Sequence, residues 1–390
     1  MQKLSVLVLD DDDFILDVAH VMLKNFGVAD ITCNTSAAMA LPTLDMNNHL
    51  LVVLCDLNMP EMDGVEVIRY LGQQGFCGGV IVLSGEDSRL LHTVADMGRA
   101  YHLRLLGALG KPIDRQALLR MLQNVANSTA VSHRPHVSLS AAEIRDGLEG
   151  DALAPYFQPQ VDTLSRKVIG VEALARWRHP TEGILSPAAF ISVAEQNALI
   201  TLLTERMITL SLQQWQLWNA AGLDLTISVN ISMHSLTRLD FPERLVAEAQ
   251  AIGVPLERLV LEITESQLSQ DVLVSTDVLT RLCLKRVRLS IDDFGTAYSN
   301  MEKLQMLPFS ELKIDQAFVH DAAKKPASYA IVKSSADLGR DLGMKIVAEG
   351  VETQEDWDCA AELGCDLLQG YFIARPMPGE QIPGWVRSWK

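Results

Sequence analysis

The sequence predicts an α/β protein in which a doubly wound, five-stranded parallel sheet is followed by a (β/α)8 barrel. Short β-rich runs alternate with helix-length segments through residues 1–124, which is typical of a parallel sheet. The alternation recurs with a longer period over residues 141–390, a length that suits a barrel. A stretch rich in Ser, Pro and His separates the two patterns.

Five β-rich runs make up the first pattern: SVLVL (5–9), ADITC (29–33), LLVVLC (50–55), GVIVLS (79–84) and LRLLGALG (103–110). In a doubly wound sheet, functional groups collect at the carboxyl ends of the strands. The polar residues at these ends are Asp10 and Asp11 after the first run, Asp56 after the third, Ser84 at the end of the fourth and Lys111 after the fifth. These are the candidate site residues of the first half.

The segment between the two patterns, VANSTAVSHRPHVSLS at 125–140, lacks periodic apolar spacing and is interpreted as a linker. Ser140 and Glu143 have the S-x-x-E spacing of a capping box, which predicts the start of a helix. His133 and His136 offer two metal ligands, but two linker histidines without other ligands are more often simply solvated. The predicted domains are 1–124 and 141–390, joined by a linker at 125–140.

Eight predicted strands build the barrel. YFQPQVD at 156–162 supplies the first, and a polar residue closes or interrupts each of the other seven apolar runs. Barrel active sites form at the carboxyl ends of several strands, so these polar residues are candidate site residues. They are Glu172, Asn230, Glu262, Asp292, Lys313, Glu349 and Gln369.

Five of these runs, VEALARW, SVNIS, LEITE, SIDDFG and VAEGVE, deliver an oxygen-bearing side chain to one face of the barrel. Clustered carboxylates cannot all stay ionised unless cations neutralise them, so the ring implies bound metal. Because no histidine or cysteine occurs at these positions, hard oxygen ligands favour Mg or Mn. The adjacent Asp292 and Asp293 allow one carboxylate to bridge two ions, and two ions about 4 Å apart suit in-line displacement at phosphorus.

A simpler interpretation of any single acidic residue after a strand is that it caps the next helix. Five such residues at five strand ends favour a shared site over five separate caps. Lys313, in ELKID, has two interpretations. It is either an ordinary surface lysine or a group among the carboxylates that orients a water or stabilises a phosphoryl oxygen.

Composition and charge restrict the class of protein. The formal net charge of −16 disfavours binding to nucleic acid phosphates and to anionic membrane surfaces. The six cysteines include no C-x-x-C pair and are interpreted as reduced thiols in a cytoplasmic protein. The apolar stretch at the start is too short for a signal peptide, and no run approaches the roughly 18 residues of a membrane helix. A cytoplasmic protein without a membrane segment is expected.

Residues 1 to about 123 resemble a response-regulator receiver domain, a flavodoxin-like fold. The resemblance rests on the acidic pair Asp10 and Asp11, Asp56 in CDLNMPEMDG, Ser84, and Lys111 in GKP, which occur in the family's order. It implies that Asp56 accepts a phosphoryl group from a sensor histidine kinase or a phosphotransfer protein, while the acidic pair helps to hold Mg and Ser84 and Lys111 contact the phosphoryl oxygens. Such a carboxylate nucleophile forms an aspartyl-phosphate. The alternative is a pseudo-receiver that only docks.

Residues from about 141 to 390 resemble the EAL family of cyclic di-GMP phosphodiesterases, which have a TIM-like barrel, and the signature EAL itself stands at 172–174. The resemblance implies two metal sites, one with the ligands Glu172, Asn230, Glu262 and Asp292 and one with the ligands Asp292, Asp293 and Glu349. It implies that Lys313 and Glu349 position and deprotonate the attacking water. It also implies substrate contacts at Gln158, Leu174, Arg176 and Gln369, and a loop anchor at Glu265.

The chain departs from both families at a few positions. Ala108 stands three residues before Lys111, where receivers usually carry an aromatic residue. Ala297 stands where glycine is common in EAL domains, and Asn300 where serine is common. The metal and catalytic positions are all kept, which favours an active enzyme over a degenerate receptor. No GG(D/E)EF-like motif occurs, so synthesis of the dinucleotide is not suggested.

The sequence therefore predicts a two-component response regulator that hydrolyses cyclic di-GMP to linear pGpG under control of phosphorylation at Asp56. Two other functions stay open: a catalytically weak receptor that binds the dinucleotide, and a signalling adaptor that binds another protein. A homodimer or higher oligomer is also expected, although no sequence feature fixes the number of subunits. The acidic first half and the lack of a helix-turn-helix motif argue against direct DNA binding.

Overall fold

The computed structural model of the chain describes residues 4–84, 94, 97, 98, 101, 103–128, 139–265, 267, 272–296 and 301–389. The chain folds as two compact units, 1–136 and 137–390. The last helix of the first unit runs from Arg115 to Ser128, so the first residues of the predicted linker are helical. His133 and His136 lie outside the described residues.

The first unit is a five-stranded parallel sheet with the strand order β2-β1-β3-β4-β5, which confirms the predicted doubly wound sheet. Its strands are β1 Ser5–Leu9, β2 Asp30–Asn34, β3 Leu51–Asp56, β4 Gly79–Ser84 and β5 Arg104–Gly110. Its described helices are α1 Asp13–Asn25, α2 Ala37–Ala40, α3 Gly64–Gln73 and α4 Arg115–Ser128.

Burial explains the order of the first sheet. Every residue of β3 and β4 is buried, as expected for interior strands that are covered on both faces. Strand β2 lies at an edge and has no fully buried residue, in keeping with its mixed sequence DITCN. Because all five strands are parallel, the carboxyl ends of β1, β3 and β5 lie at the same edge of the sheet, beside Asp10, Asp56 and Lys111.

The second unit contains a closed barrel of eight strands, which confirms the predicted barrel. In ring order these are β6, β7, β9, β10, β11, β12, β13 and β14, and β14 pairs back onto β6. Strand β8 extends the sheet beside β7, and β15 pairs with Tyr156 and Phe157 of β6. The bounds are β6 Leu153–Asp162, β7 Val168–His179, β8 Gly183–Leu185, β9 Thr226–Asn230, β10 Leu259–Thr264, β11 Arg288–Phe294, β12 Glu311–Ile314, β13 Lys345–Ala348, β14 Leu367–Leu368 and β15 Met377–Pro378.

One barrel strand departs from the regular (β/α)8 pattern. Strand β6 runs antiparallel to both of its ring neighbours, β7 and β14. The connection from β6 to β7 covers only residues 163–167, and a parallel crossover needs a dozen or more residues. The chain therefore turns back as a hairpin, in which Asp162 accepts hydrogen bonds from Ser165 and Arg166 adopts a positive φ of 55°.

Helices cover the outside of the barrel and complete its core. Among the largest buried side chains are Phe157 and Trp218, whose rings meet edge to face with centroids 4.8 Å apart. The described helices are α5 Ala141–Glu149, α6 Ile191–Gln196, α7 Ile200–Ala220, α8 Met233–Leu236, α9 Phe241–Ile252, α10 Val272–Leu284, α11 Met301–Met306, α12 Gln316–Val319, α13 Pro326–Asp341, α14 Gln354–Glu362 and α15 Ile382–Ser388. In the part of the chain that the structure describes, none of the helices combines the length and apolar character that a bilayer crossing requires.

The capping box predicted before the barrel is present. The Glu143 amide donates to Ser140 Oγ over 3.3 Å, and the Ser140 amide donates to Glu143 Oε2 over 2.8 Å. These bonds satisfy two backbone groups at the start of α5, whose buried face contributes Ile144 and Leu148 to the core.

We expect Ser140→Ala to lower the free energy of unfolding of the chain by about 1 kcal/mol, because the first turn of α5 loses its side-chain acceptor. Chemical denaturation followed by circular dichroism measures the change. Ser186→Ala is the matched control, since Ser186 is also exposed and precedes a short helix but makes no capping bond. Equal effects of the two substitutions would contradict a stabilising role for the box.

Candidate active site

A buried lysine lies at the centre of the carboxylate ring of the barrel. Lys313 is fully buried, and its Nζ contacts one oxygen of each of four carboxyl groups. The distances are 2.7 Å to Glu349, 2.9 Å to Asp292, 3.1 Å to Glu262 and 3.3 Å to Glu172. The structure therefore excludes the interpretation of Lys313 as a surface lysine, and it brings together five of the predicted site residues, Lys313 and four carboxylates.

Neighbouring strands supply the members of this ring. Glu262 and Asp292 lie on β10 and β11, Lys313 lies on β12, and Glu349 follows β13 directly. Glu172 lies within β7, which continues to His179 beyond it. Because these strands are parallel, their carboxyl ends meet at the same end of the barrel.

Asp293 joins the site through an irregularity in β11. Side chains of successive strand residues normally point to opposite faces, so Asp292 and Asp293 would not share a site in a regular strand. The register shifts between Ile291 and Phe294, and Asp293 adopts a left-handed backbone with φ of 55°. A left-handed residue other than glycine costs roughly 1 kcal/mol, and aspartate tolerates it better than most residues. The irregularity thus places both carboxylates at one site.

The donor set fits two divalent cations. Glu172, Glu262 and Asp292 each offer an oxygen within 4.8 Å of the others, and so do Asp292, Asp293 and Glu349. Asp292 belongs to both groups, as the sequence predicts for a bridging ligand. One oxygen of the fully buried Glu262, Oε1, has no hydrogen-bond partner among the described residues. An orphaned buried carboxylate oxygen and all-oxygen donors are the features that Mg or Mn would satisfy.

Burial and charge move the pKa values of the ring in different directions. Burial, with repulsion from Glu172, raises the pKa of Glu262 well above its ordinary value. Burial also raises the pKa of Glu349, although Lys313 opposes the rise. Burial alone would raise the pKa of Glu172 as well, but Lys313 and a hydrogen bond from Gln369 outweigh it and the pKa is lowered. The surroundings therefore favour the protonated form of Glu262 and Glu349 and the ionised form of Glu172.

The pKa values of Lys313 and Asp293 are both raised, but for opposite reasons. Burial lowers the pKa of Lys313, but attraction to Asp292 and the other carboxylates more than compensates and raises it well above its ordinary value. Burial, with repulsion from Asp292 and Asp315, raises the pKa of Asp293 to about 7. The lysine therefore carries a full positive charge at the centre of the ring.

Side-chain amides hold the ring carboxylates from one side. Asn230 Nδ2 donates to Glu172 Oε1 over 2.9 Å and lies 3.3 Å from Glu262 Oε2. Gln369 Nε2 donates to Glu172 Oε2 over 2.6 Å and to Gln158 Oε1 over 3.2 Å. The structure therefore places the amide of Asn230 beside Glu172 and Glu262, and it directs the amide nitrogen of Gln369 at Glu172.

A cavity of about 310 Å³ opens over this ring. The structure brings the predicted substrate contacts Gln158, Leu174 and Gln369 to its wall, and it also brings residues that sequence reasoning missed. The missed residues with side chains are Gln316, Glu352 and Tyr371. Each lies within four residues of the end of β12, β13 or β14, and this position is the signal that could have identified it.

Arg176 does not line the cavity in this structure. Its Nη1 donates to the carbonyl oxygen of Ala175 over 2.8 Å, and its guanidinium lies 6.0 Å from the centre of the Tyr156 ring. Arg176 is half-buried on β7, four residues after Glu172 and on the same face of the strand.

Glu265, the predicted loop anchor, makes a hydrogen bond to the segment that follows Asp293. The Gly295 amide donates to Glu265 Oε2 over 2.9 Å, and Gly295 adopts a φ of 98° that favours glycine. This bond ties the end of β10 to the chain directly after Asp293. The departures at Ala297 and Asn300 lie outside the described residues.

The first unit has a smaller cluster of the same kind. Lys111 Nζ lies 2.8 Å from Asp10 Oδ2 and 3.1 Å from Asp56 Oδ1. The exposed Asp11 completes an acidic group with Asp10 and Asp56, whose oxygens lie within 4.8 Å of one another. Burial raises the pKa of Asp10, although Lys111 opposes the rise. The cluster thus brings three predicted carboxylates and the predicted lysine together.

Ser84 and Ala108 lie on the neighbouring strands of the first sheet. Ser84 is buried at the end of β4, which pairs with both β3 and β5. The main-chain amide of Lys111 donates to the Ser84 carbonyl oxygen over 3.1 Å. Ala108 is half-buried on β5 and pairs with Val82, so a small side chain occupies the position where receivers usually carry an aromatic residue.

Family models match both units of the chain. The EAL domain model matches residues 141–376, and the response regulator receiver domain model matches residues 6–123. The chain is 32% identical over 389 residues to the cyclic di-GMP phosphodiesterase RocR of Pseudomonas aeruginosa, with 98% of each chain covered. It is 39% identical over 241 residues to the bifunctional diguanylate cyclase/cyclic di-GMP phosphodiesterase MucR of the same species. This match covers 62% of this chain and 35% of MucR.

Solved structures agree with these matches. The PaMucR phosphodiesterase in its c-di-GMP complex is 38% identical, has a TM-score of 0.59 and covers 62% of this chain and 98% of that chain. The EAL enzyme Bd1971 in its cAMP- and cyclic-di-GMP-bound form is 26% identical, has a TM-score of 0.60 and covers 70% of this chain and 74% of that chain. With its receiver sheet, its closed barrel and these matches, the chain belongs to the EAL domain family, with a response regulator receiver domain preceding the EAL domain.

Proposed function

We propose that the chain hydrolyses one phosphodiester bond of cyclic di-GMP to give linear pGpG. The observation that carries this proposal is the complete ring around Lys313, in which Glu172, Asp292, Asp293 and Glu349 line one cavity and Glu262 lies buried beneath them against the same lysine. Relatives of the same architecture support the substrate, since RocR is a cyclic di-GMP phosphodiesterase. The net charge of −16 adds a physical reason for cations, because an anionic substrate must reach an acidic site.

The proposed reaction is a hydrolysis in which water attacks one phosphorus atom. A new bond forms between the water oxygen and phosphorus, and the bond from phosphorus to the ribose 3′-oxygen breaks. That oxygen leaves with the electron pair and takes up a proton, while the attacking water loses one. Glu349 lines the cavity and is the group that accepts the proton of the water, while the charged Nζ of Lys313, 2.7 Å from Glu349 Oε1, holds that carboxylate in position.

The remaining residues hold the cations and the substrate. Glu172, Asn230, Glu262 and Asp292 would hold one ion, and Asp292, Asp293 and Glu349 the other. When bound, the two ions supply Lewis-acid stabilisation of the charge that develops on the phosphoryl oxygens. Gln158 and Leu174 contact the dinucleotide from the cavity wall, and Arg176 binds a phosphate once its guanidinium turns from Ala175.

The proposal for the receiver is phosphorylation of Asp56 by a histidine kinase or a phosphotransfer protein. An Asp56 oxygen forms a bond to phosphorus as the bond from phosphorus to a histidine nitrogen breaks, and the nitrogen leaves with the electron pair. Lys111, 3.1 Å from Asp56, is placed to contact the transferred phosphoryl group. Asp10 and Asp11 would hold Mg beside it. Phosphorylation is proposed to change the rate of hydrolysis.

We also propose that the chain works in the cytoplasm without binding DNA. All six cysteines are free in the structure, which suits a reducing compartment. The number of subunits stays a prediction, which light scattering on the purified protein would test.

We expect Glu349→Gln to lower the turnover of cyclic di-GMP at least a hundredfold, because the amide can neither accept a proton nor bind a cation as a carboxylate does. Chromatography of pGpG formed in Mg²⁺ or Mn²⁺ measures the rate. The matched control is Glu362→Gln, which makes the same change at an exposed position of α14. Near wild-type turnover of Glu349→Gln would exclude the proposed mechanism. A wild type that binds the dinucleotide without cleaving it would favour the receptor, and one that does neither would favour the adaptor.

We expect Lys313→Met to destabilise the metal-free protein by about 3–5 kcal/mol, because four buried carboxyl groups lose their cation. Mg²⁺ or Mn²⁺ should raise the melting temperature of the variant more than that of the wild type, since metal then replaces the missing charge. Differential scanning calorimetry with and without metal measures both effects. Lys345→Met, at an exposed position of β13, is the control, and the same metal-dependent shift in both variants would contradict the assignment.

We expect acetyl phosphate with Mg²⁺ to add one phosphoryl group to the wild type and to change its hydrolysis rate, and to do neither to Asp56→Asn. The mass of the intact protein and the rate of pGpG formation are measured on the same samples. Asp30→Asn, at the opposite end of the sheet, is the control and should behave as the wild type. Labelling of the wild type without any change in rate would identify the receiver as a docking module.

A further inference from the structure

Gln160 is a buried glutamine that the proposed chemistry does not use. It lies on β6 and is 2% exposed. Its Nε2 donates to Gln369 Oε1 over 2.9 Å, between two buried side chains. Gln160 and Gln158 are two residues apart on one strand, so both point to the same face. Gln369 lies opposite that face, because β14, which ends at Leu368, pairs with β6.

Gln369 is fully hydrogen-bonded through these contacts. Its Nε2 uses one hydrogen for Glu172 Oε2 over 2.6 Å and the other for Gln158 Oε1 over 3.2 Å, while its Oε1 accepts from Gln160. Gln158 is fixed in turn, since its Nε2 donates to the carbonyl oxygen of Ala374 over 3.1 Å. In this arrangement the side chain of Gln369 holds Glu172 and has no donor left for a substrate.

Glu172 determines which atom is the donor and which is the acceptor in each of these hydrogen bonds. An ionised carboxylate only accepts hydrogen bonds, so the amide nitrogen of Gln369 must face Glu172 and its oxygen must face Gln160. Position 160 must then supply a donor. If it supplies none, the oxygen of Gln369 is left buried without a partner, and the amide loses the contact that fixes its orientation.

The space around Gln160 is built to hold it. Gly170 on β7 is the register partner of Gln160. A Cβ at position 170 would lie 3.3 Å from Gln160 Oε1 and 2.2 Å from Thr226 Oγ1. Glycine at this position therefore leaves the room in which both polar side chains lie.

We propose that Gln160 is a positioning residue for the metal site, which acts on Glu172 through the amide of Gln369. The inference rests on the proposed function, in which Glu172 is a ligand of one cation. A carboxylate held by Gln369 on one oxygen and by Asn230 on the other is presented to the cation in a fixed orientation. Groups that orient a ligand in this way typically change metal affinity 10- to 100-fold when they are lost.

The test is a double-mutant cycle on metal binding to the substrate-free protein. Gln160→Met keeps the length of the side chain and removes the donor. We expect it to weaken binding of Mg²⁺ or Mn²⁺ on the order of tenfold, measured by isothermal titration calorimetry. In a Gln369→Met background, the same substitution should change metal affinity less than twofold, because the path to Glu172 is already broken. Gln250→Met, at an exposed position of α9, should leave affinity unchanged.

Each outcome decides the inference. Unchanged metal affinity in Gln160→Met, additive effects of the two substitutions, or a wild type that binds no metal would each overturn it. Gln160→Leu is measured as a second variant that also lacks the donor. Calorimetric melting shows whether each of the two variants is folded, and metal affinity is compared for a folded one. Turnover of cyclic di-GMP is assayed separately, so a wild type that binds metal but hydrolyses nothing would contradict the proposed function and leave the role of Gln160 to be decided by the cycle.

Discussion

The contact of Lys313 with four buried carboxyl groups is the constraint on which the rest of the barrel depends. Removing one charge partner from such a cluster typically costs several kcal/mol, so the ring needs a cation at its centre, and Lys313 supplies it. Lys313 lies within the buried strand β12, and its ammonium group contacts carboxylates from β7, β10, β11 and the residue after β13. The ring can therefore form only if the whole barrel closes in register.

The same electrostatic arrangement occurs in both units with different exposure. In the receiver sheet, Lys111 lies between Asp10 and Asp56, and its side chain is 23% exposed. In the barrel, Lys313 has no exposed surface, and the cavity over it has a volume of about 310 Å³. A cluster near the surface suits a phosphoryl donor carried by another protein, whereas an enclosed cluster suits a small molecule that enters a cavity. Burial thus distinguishes two sites whose residue types are alike.

Much of the architecture could be predicted because it depends on local patterns. Continuous apolar runs predicted β3 and β4, which are buried throughout, and the S-x-x-E spacing predicted the capping box at Ser140 and Glu143. The antiparallel direction of β6 was not predicted, since the number of apolar runs does not show strand direction, which follows instead from the five-residue connection to β7. Glu352 and Tyr371 were also missed, because they lie four and three residues beyond the ends of β13 and β14, past the polar residues that close the apolar runs.

The sequence by itself determined which carboxylates and which lysines lie at the two sites, because polar residues at the ends of apolar runs must lie at the ends of strands. Tertiary structure alone decided how they meet. Asp293 faces the same site as Asp292 only because β11 is irregular and Asp293 has a positive φ, and adjacent strand residues would otherwise point apart. Gln160 reaches Gln369 over 209 residues of sequence only because β14 pairs with an antiparallel β6. Such contacts depend on barrel closure, which no local pattern encodes.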